Sequence, residues 1–228
     1  MELTILYQDE YFVAINKPHG LLVHKTSIAQ EQNNFALQIL RDQLGKYLYP
    51  IHRLDRKTSG VLLFAFDKVT ASILQETLQK EETVKQYIAI VRGYFPKKVK
   101  VDYALTNDNG KVQDALTYFE CLTQSEIDLP NGIFDTARYS LVACYPKTGR
   151  MHQIRKHLNH LRHPIIGDRP HGCNKQNRLL LEKFKLTEMM LHSKSLTLVH
   201  PKSTHPICIE ASFSSSFLKM AEALQLSI

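Results

Sequence analysis

Residues 51–66, IHRLDRKTSGVLLFAF, join a short, charged loop to an uninterrupted apolar run. The run VLLFAF at 61–66 is typical of a strand that is buried on both faces of a sheet. The residues Thr-Ser-Gly at 58–60 favour a tight, hydrogen-bonded loop just before this strand. The segment therefore predicts a buried strand that begins at a polar loop, where a rigid scaffold often holds functional groups.

The charged loop holds one acid, Asp55, among the cations Arg53, Arg56 and Lys57, with His52 close by. Neighbouring cations stabilise the charged form of a carboxylate. An ionised aspartate can act as a nucleophile or as a base, so this loop is a candidate catalytic site. The alternative is a surface cluster of salt bridges, each contributing about 0–1 kcal/mol.

Outward from this loop, the sequence pattern predicts more strands than helices. Strands are predicted at 3–7, 11–16, 61–66, 86–95, 98–105, 116–122, 137–145, 191–201 and 207–213. Helices are predicted at 35–44, 68–80, 151–162 and 217–224, and turns at 17–20, 108–110 and 131–132. Because the two element types do not alternate strictly, we expect an α+β fold with a large mixed or antiparallel sheet.

The composition indicates a globular protein with an anionic partner. The chain has 228 residues, of which 43% are hydrophobic, and a formal net charge of +7. A single domain over 1–228 is expected, because neither a repeat nor a linker interrupts the sequence. A basic protein gains affinity for a polyanion by releasing counterions from its phosphates, so nucleic acid is the favoured partner.

Cysteine usage and the N-terminal sequence indicate a cytoplasmic location. The four cysteines lie far apart and include no C-x-x-C pair, which is typical of reduced thiols. Acids occupy the start MELTILYQDEYF, where a signal peptide would need cations and an apolar run. We also expect no membrane association, since no apolar stretch approaches the roughly 20 residues that span a bilayer.

A second segment, KTGRMHQIRKHLNHLRHPIIGD at 147–168, carries a basic helix. One face of that helix has the spacing of core residues, and His152 and Arg155 lie on a neighbouring, hydrogen-bonding stripe. Arg150 lies at the helix start, where a cation opposes the helix dipole. This placement suggests a partner anion, either Asp55 or a phosphate. The alternative is a solvated basic face.

Five histidines fall within twenty residues of this segment, which raises the question of a metal site. They are His152, His157, His160, His163 and His171. Zinc requires neutral imidazoles and usually a carboxylate or thiolate ligand. Interleaved arginines and lysines repel a dication, so we expect no metal and favour hydrogen bonding to RNA or to the backbone.

The third segment, VKQYIAIVRG at 84–93, is predicted to be a strand. Tyr87 then lies on one face of the sheet, and its neighbours Gln86 and Ile88 lie on the other. A tyrosine between aliphatic neighbours is usually a core residue. Its ring can instead stack on an extruded base, as aromatic side chains do in RNA-binding proteins.

Taken together, these motifs resemble the RluA-type pseudouridine synthases. The matching motifs are NKPHG at 16–20, HRLDRKTSG at 52–60, the K-x-Y-x-A-x-V-x-G pattern at 85–93 and GRMHQIRKHL at 149–158. The stretch LRHPIIGDRPHGCNKQNR at 161–178 and the opening ILYQDEYFVAINKP resemble the subgroup that modifies uridine 65 of tRNA. The resemblance implies the α+β catalytic fold of this family, with a cleft across the sheet. Many family members carry an added S4 RNA-binding domain, and in this departure from them we expect none here.

The resemblance also implies roles for individual residues. Asp55 matches the catalytic aspartate, and Arg155 matches the basic residue that pairs with it. Tyr87 matches the tyrosine that packs on the target base. Arg53 matches an arginine that helps to displace the uridine, and Ile154 matches an aliphatic residue that lines the uracil pocket.

His52, Arg150 and His152 complete the expected substrate-binding set. The implied activity is that of an isomerase that converts a specific uridine of RNA, expected to be uridine 65 of tRNA, to pseudouridine. No cofactor is expected, because the reaction leaves the redox state unchanged and the sequence has no nucleotide-binding glycine motif. Nothing in the sequence requires more than a monomer.

Several alternatives stay open on the sequence alone. The enzyme could modify ribosomal RNA or another tRNA position. A glycosylase could hydrolyse the same bond with a similar aspartate, and a non-catalytic RNA-binding protein could keep the fold. A metal-dependent hydrolase built on the histidines is the fourth alternative.

Overall fold

The computed structural model describes residues 1–24, 35–130 and 134–228. The chain divides into two compact units: unit 1 comprises Met1–Lys85 and Ser193–Ser212, and unit 2 comprises Gln86–His192 and Phe213–Ile228. The turn predicted at 131–132 lies outside the described residues. None of the helices in the described part of the chain has the length and apolarity that crossing a bilayer requires.

Strands outnumber helices in the described residues, as predicted, and the α+β class is confirmed. The strands are β1 (Thr4–Gln8), β2 (Phe12–Lys17), β3 (Tyr49–Pro50), β4 (Ser59–Ala65), β5 (Val84–Arg92), β6 (Lys98–Asp102), β7 (Leu105–Thr106), β8 (Val112–Gln113), β9 (Leu116–Ile127), β10 (Ala137–Pro146), β11 (Leu191–Val199) and β12 (Pro206–Glu210). The helices are α1 (Ala36–Leu44), α2 (Lys68–Thr77), α3 (Gln153–His160), α4 (Asn174–Phe184) and α5 (Ser215–Ala223).

In unit 1 the strand order is β1-β2-β4-β11, with β3 paired to β4 and β12 paired to β11. Every residue of β4 is buried, which confirms the prediction from its continuous apolar run. Phe12, Leu63, Leu74 and Leu196 contribute to the core of this unit. The loop that carries Asp55 runs directly into β4, so the best-buried strand of unit 1 anchors it.

Gly60, the second residue of β4, shows why a glycine is needed near the start of this strand. Its φ angle is +108°, and a Cβ atom there would lie 2.1 Å from the carbonyl oxygen of Ser193. Any side chain at this position would therefore collide with the backbone at the start of β11 in unit 1. The close approach of β4 to the backbone of β11 therefore requires glycine at position 60.

In unit 2 the strand order is β5-β10-β9-β6, and β7 and β8 form a separate antiparallel hairpin. The pairs β5–β10, β9–β10 and β6–β9 are antiparallel. The core of this unit contains Ile90, Val142, Leu158 and Leu180, the last two of which come from α3 and α4.

One helix prediction in unit 2 needs correction, and one helix of that unit was not predicted. Helix α3 spans eight residues rather than 151–162, because His152 and Arg162 have φ angles of 57° and 62°. The left-handed conformation at both positions interrupts the helical hydrogen-bond ladder. Helix α4 was not predicted, because only Gln176 and Leu180 on it are buried and its apolar periodicity is weak.

Candidate functional site

The loop around Asp55 in unit 1 is closed by main-chain hydrogen bonds. The backbone N–H of Thr58 donates to the Asp55 carbonyl at 3.0 Å. The N–H of Gly20 donates to the Arg56 carbonyl at 2.9 Å, and Arg56 Nε donates to the Gly20 carbonyl at 3.0 Å. The turn at 16–20 thus holds the residue that follows Asp55 from both sides.

Lys17 is the buried centre of this arrangement. Its side chain has no exposed surface, and its Nζ donates to the carbonyl oxygens of Pro18 at 2.9 Å, Leu21 at 2.9 Å and Arg56 at 3.2 Å. Burial lowers the pKa of Lys17 to about 7, and the charge of Asp55 opposes that shift. The ammonium therefore lies within electrostatic reach of the Asp55 carboxylate and ties the turn to the loop.

His52 is part-buried, and its Nε2 accepts a hydrogen bond from the backbone N–H of Leu63 at 3.3 Å. Burial, and to a smaller extent the charge of Lys85, lower the pKa of His52 to about 4. A hydrogen bond to the Arg53 backbone opposes this shift, and the ring of His52 is consequently neutral at physiological pH. Arg53, next in the chain, is exposed.

Arg155 in unit 2 forms a bidentate ion pair with Asp168. Nε lies 2.7 Å from Oδ2, and Nη2 lies 2.8 Å from Oδ1. The side chains are 5% and 1% exposed, so this is a buried pair. Such pairing fixes the plane of a guanidinium and leaves its Nη1 edge for other partners.

Asp168 is itself held in place by neighbouring polar groups. The backbone N–H of His171 donates to its Oδ1 at 3.3 Å. Asn177 on α4 donates from Nδ2 to the Asp168 carbonyl at 2.7 Å and accepts the Gly167 N–H at 2.9 Å. Helix α4 therefore fixes the segment that positions Arg155.

Gln153, the first residue of α3, links the turn before the helix to β9. Its Oε1 accepts from Thr148 Oγ1 at 2.7 Å and from the Arg150 N–H at 3.0 Å. Its Nε2 donates to the Leu116 carbonyl at 3.0 Å and to Thr117 Oγ1 at 2.9 Å. All four hydrogen-bonding positions of the buried amide are satisfied, which orients the start of α3.

His157 extends the same network and is fully buried. Its Nδ1 lies 3.0 Å from Thr117 Oγ1, and its Nε2 lies 3.1 Å from the Tyr103 carbonyl. Because a carbonyl only accepts, Nε2 carries the proton and Nδ1 accepts from the threonine hydroxyl. Burial lowers the pKa of His157, which keeps the ring neutral.

The other histidines of this segment have separate surroundings. His152 Nδ1 lies 2.9 Å from His171 Nε2, and this hydrogen bond requires one ring to donate and the other to accept. His160 stacks on Tyr103, and His163 Nδ1 bonds to the carbonyl of Arg92 in β5. Across residues 1–24, 35–130 and 134–228, no group of three or more His, Cys, Asp or Glu could hold a metal.

The remaining predicted residues of unit 2 lie on β5 and around the start of α3. Tyr87 is part-buried and packs against the core of unit 2, where its register partner is Cys144. Ile154 is 7% exposed. Arg150 donates from Nε to the carbonyl of Asp114 at 2.9 Å, so a backbone oxygen accepts from the cation that opposes the helix dipole.

The structure places three of the eight predicted residues in unit 1 and five in unit 2. Those in unit 1 are His52, Arg53 and Asp55, and those in unit 2 are Tyr87, Arg150, His152, Ile154 and Arg155. Reasoning from the sequence missed the supporting roles of Lys17 and Asp168. The one available signal for Asp168 was an acid two residues after the apolar Pro-Ile-Ile of 164–166.

Comparison with known proteins decides the family. A family model described as RNA pseudouridylate synthase matches residues 11–160, a range that includes Asp55, Tyr87 and Arg155. The chain belongs to the RNA pseudouridylate synthase family. It is thus an isomerase that converts uridine in RNA to pseudouridine, as the resemblance of the motifs predicted.

Relatives of this pseudouridylate synthase match over nearly the whole chain. The tRNA pseudouridine synthase C of Haemophilus ducreyi is 45% identical over 92% of this chain and 91% of its own length. The protein of the same name from Vibrio vulnificus is 41% identical over 98% of this chain and 96% of its own. The solved structure of human RNA pseudouridylate synthase domain containing 4 has a TM-score of 0.76 at 28% identity, covering 99% of this chain and 94% of that one.

Proposed function

We propose that this pseudouridine synthase modifies tRNA, and specifically uridine 65. The relatives named tRNA pseudouridine synthase C support the tRNA substrate, since they match over more than nine-tenths of this chain. The formal charge of +7 favours a polyanionic substrate. The choice of uridine 65 rests on the resemblance of residues 161–178 to the subgroup that modifies this position.

Asp55 is proposed as the catalytic carboxylate. Pseudouridine formation breaks the N1–C1′ bond of the uridine, rotates the base and joins C5 to C1′, after which C5 loses its proton. The carboxylate either attacks C1′ or removes the C2′ proton to give a glycal. Both routes need an ionised oxygen in a fixed position, and the loop closed by Lys17, Gly20 and Thr58 supplies a fixed position in unit 1.

Arg155 is proposed as the cation that keeps the catalytic carboxylate ionised. Its guanidinium is buried, and Asp168 takes one N–H from Nε and one from Nη2. A guanidinium fixed in this way loses little conformational entropy when it binds a second acceptor. The role follows from the resemblance, and the bidentate pair within unit 2 supports it.

The other residues are proposed to bind the target nucleotide. Extraction of a uridine from its stack costs a few kcal/mol, and Arg53 would fill the vacancy with its flat guanidinium. Tyr87 would stack on the extruded base, and Ile154 would line the uracil pocket. The remaining members of the set are His52, whose ring is neutral, and Arg150 and His152 before α3.

The variant Asp55→Asn tests the catalytic proposal, because it keeps the shape of the side chain and removes its charge. We expect no detectable pseudouridine from the purified variant on an unmodified tRNA transcript, with RNA binding largely retained. Asp108→Asn, in an exposed turn of unit 2, is the matched control and should react like the wild type. Normal turnover by Asp55→Asn would refute the assignment.

Two further measurements separate the alternative functions. Nucleoside analysis of the products distinguishes an isomerase from a glycosylase, because only the latter releases free uracil. Mapping of pseudouridine in tRNA and ribosomal RNA from cells that lack the protein tests the substrate. Loss of pseudouridine from ribosomal RNA alone would contradict the tRNA assignment.

We propose in addition that the enzyme acts as a cytoplasmic monomer. The four cysteines are free thiols in the structure, which fits a reducing compartment. Light scattering of the purified protein and of its tRNA complex tests the monomer, and a dimer in both samples would contradict it.

A further inference from the structure

A pocket of about 540 Å³ opens on unit 2 beside the segment that holds Arg155. Gly167, the neighbour of Asp168, lines it together with Arg169, Asn174, Arg178 and Leu181. The arginines, Asn174 and Leu181 are all exposed. The lining therefore combines two guanidinium groups with an amide and an apolar wall.

The side chains of the two arginines of this pocket have no partner among the residues that the structure describes. Among the described residues, neither Arg169 nor Arg178 makes a side-chain hydrogen bond, ion pair or ring contact. The lining residues include no acid, so nothing in the described wall neutralises the two charges. Unpaired arginines that converge on a pocket favour an anionic ligand, because the guanidinium fork matches phosphate geometry.

Helix α4 adds a second, independent contribution of the same sign. Asn174 is its first residue, and the preceding Cys173 makes no side-chain capping hydrogen bond. The first turn of α4 contains no acidic residue. The positive end of the helix dipole is therefore not offset by a neighbouring carboxylate at the pocket.

The pocket is built on rigid elements. Asn177 of α4 binds both the N–H of Gly167 and the carbonyl of Asp168, which fixes the helix to the 167–168 segment. Gly167 has a φ angle of +79°, and a Cβ atom there would lie 2.0 Å from the Glu188 carbonyl oxygen. A pocket held in this way binds without first paying for ordering of its backbone.

We propose that this pocket binds a phosphate of the RNA backbone, through Arg169, Arg178 and the start of α4. The inference rests on the proposed function, and it adds a binding site to it. In this role the site positions the RNA backbone and does not read base identity, because a phosphate contact carries no sequence information. Because Asp168 in the 167–168 segment also holds Arg155, RNA bound in the pocket has a fixed position relative to Arg155, which is one of the proposed catalytic residues.

The double variant Arg169→Ala/Arg178→Ala tests this site. We expect the Kd for an unmodified tRNA transcript to rise by about tenfold or more, because charged hydrogen bonds to the phosphate are lost. The slope of log Kd against log salt should fall by about 1, as one phosphate contact disappears. The kcat at saturating tRNA should stay at the wild-type value, because neither arginine contacts the reacting base.

The matched control is Lys183→Ala/Lys219→Ala. It also removes two exposed positive charges from helices of unit 2, and neither lysine lines the pocket. Equal weakening of tRNA binding in both double variants would show a general charge effect and overturn the proposal. A further variant, Arg169→Lys/Arg178→Lys, keeps the charge but loses bidentate geometry, and we expect an intermediate Kd.

Two outcomes separate this inference from its neighbours. If the wild type makes pseudouridine and the arginine variant binds tRNA normally, the phosphate site is wrong and the proposed function stands. If the wild type modifies no RNA but Arg169→Ala/Arg178→Ala still binds RNA more weakly than the wild type does, the proposed function is wrong and the phosphate site stands. Calorimetric titration with inorganic pyrophosphate tests whether the pocket binds a small anion instead. If the double alanine variant loses pyrophosphate binding but keeps its affinity for tRNA, the assignment of the pocket to RNA is wrong.

Discussion

The loop around Asp55 in unit 1 and the segment around Arg155 in unit 2 are held by different kinds of interaction. In the loop, the partners are backbone groups of Gly20, Arg56 and Thr58, joined by the buried ammonium of Lys17. Around Arg155, side chains satisfy one another, as Asp168 does for the guanidinium.

The difference predicts how each region responds to substitution. Main-chain hydrogen bonds survive most changes of side chain, so the loop depends chiefly on its glycines and on the side chains of Lys17 and Arg56. A network of buried side chains fails when a single member is removed, because the remaining groups lose their partners inside the protein. Unit 2 should therefore be the more sensitive of the two.

The largest effect is expected for Asp168→Asn in unit 2. The change keeps the shape of the side chain but leaves the buried guanidinium of Arg155 without its carboxylate partner at 2.7 Å. Breaking a buried ion pair in this way costs about 3–5 kcal/mol. Urea unfolding at neutral pH measures the loss, and pseudouridine formation should fall with it because Arg155 is no longer held.

The control for Asp168→Asn is Glu120→Gln, which breaks an exposed pair of the same unit. Lys98 Nζ lies 3.3 Å from Glu120 Oε1, and the two side chains are 71% and 39% exposed. Surface pairs contribute about 0–1 kcal/mol, so this variant should unfold close to the wild-type midpoint. Equal urea midpoints for both variants would show that the buried network of unit 2 contributes no more than a surface pair.

The sequence predicted the strands of both units well, because their signals are local. The apolar run of β4 and the glycine that ends α1 are visible within a few residues, and Gly45 indeed has a left-handed φ angle of 61°. Helix α4 was missed because its stability comes from contacts with distant residues. Asn177 and Gln176 bind the 167–168 segment and Tyr139, respectively, which no periodicity indicates.

The same distinction applies to the candidate site. Asp55, Tyr87 and Arg155 were predicted because each stands in a dense local motif, and their roles stay predictions. Asp168 and Lys17 act through side-chain contacts that depend on folding, so their functions could not be read from the sequence. The NKPHG motif at 16–20 indicated a turn but not that its lysine binds three carbonyl groups.

A smaller effect is expected for Lys17→Met in unit 1. The variant removes three hydrogen bonds to carbonyl oxygens, but it also removes a buried charge whose pKa has fallen to about 7. The gain from avoided desolvation offsets part of the loss, so we expect the free energy of unfolding to fall by about 1–2 kcal/mol. Lys80→Met, at an exposed lysine of unit 1, is the control. A loss as large as that of Asp168→Asn would contradict the ranking of the two regions.

The smallest effect concerns pH and His157 in unit 2. Because burial lowers the pKa of His157 in the folded state, the unfolded chain takes up this proton first as the pH falls. Stability from this group is therefore present at pH values above the ordinary pKa of histidine, and it is lost on acidification towards the folded pKa.

His157→Gln can keep both hydrogen bonds, to Thr117 and to the Tyr103 carbonyl, without titrating. Urea unfolding at pH values between about 7 and 5 should show a shallower decline of stability for the variant than for the wild type. The slope should not vanish, because His19 and His52 in unit 1, whose pKa values are lowered to about 4, remain. If stability falls equally with pH in the variant and the wild type, the neutral ring of His157 contributes nothing to the side-chain network of unit 2. The buried side chains of unit 2 would then depend on one another less than the contrast with the loop of unit 1 requires.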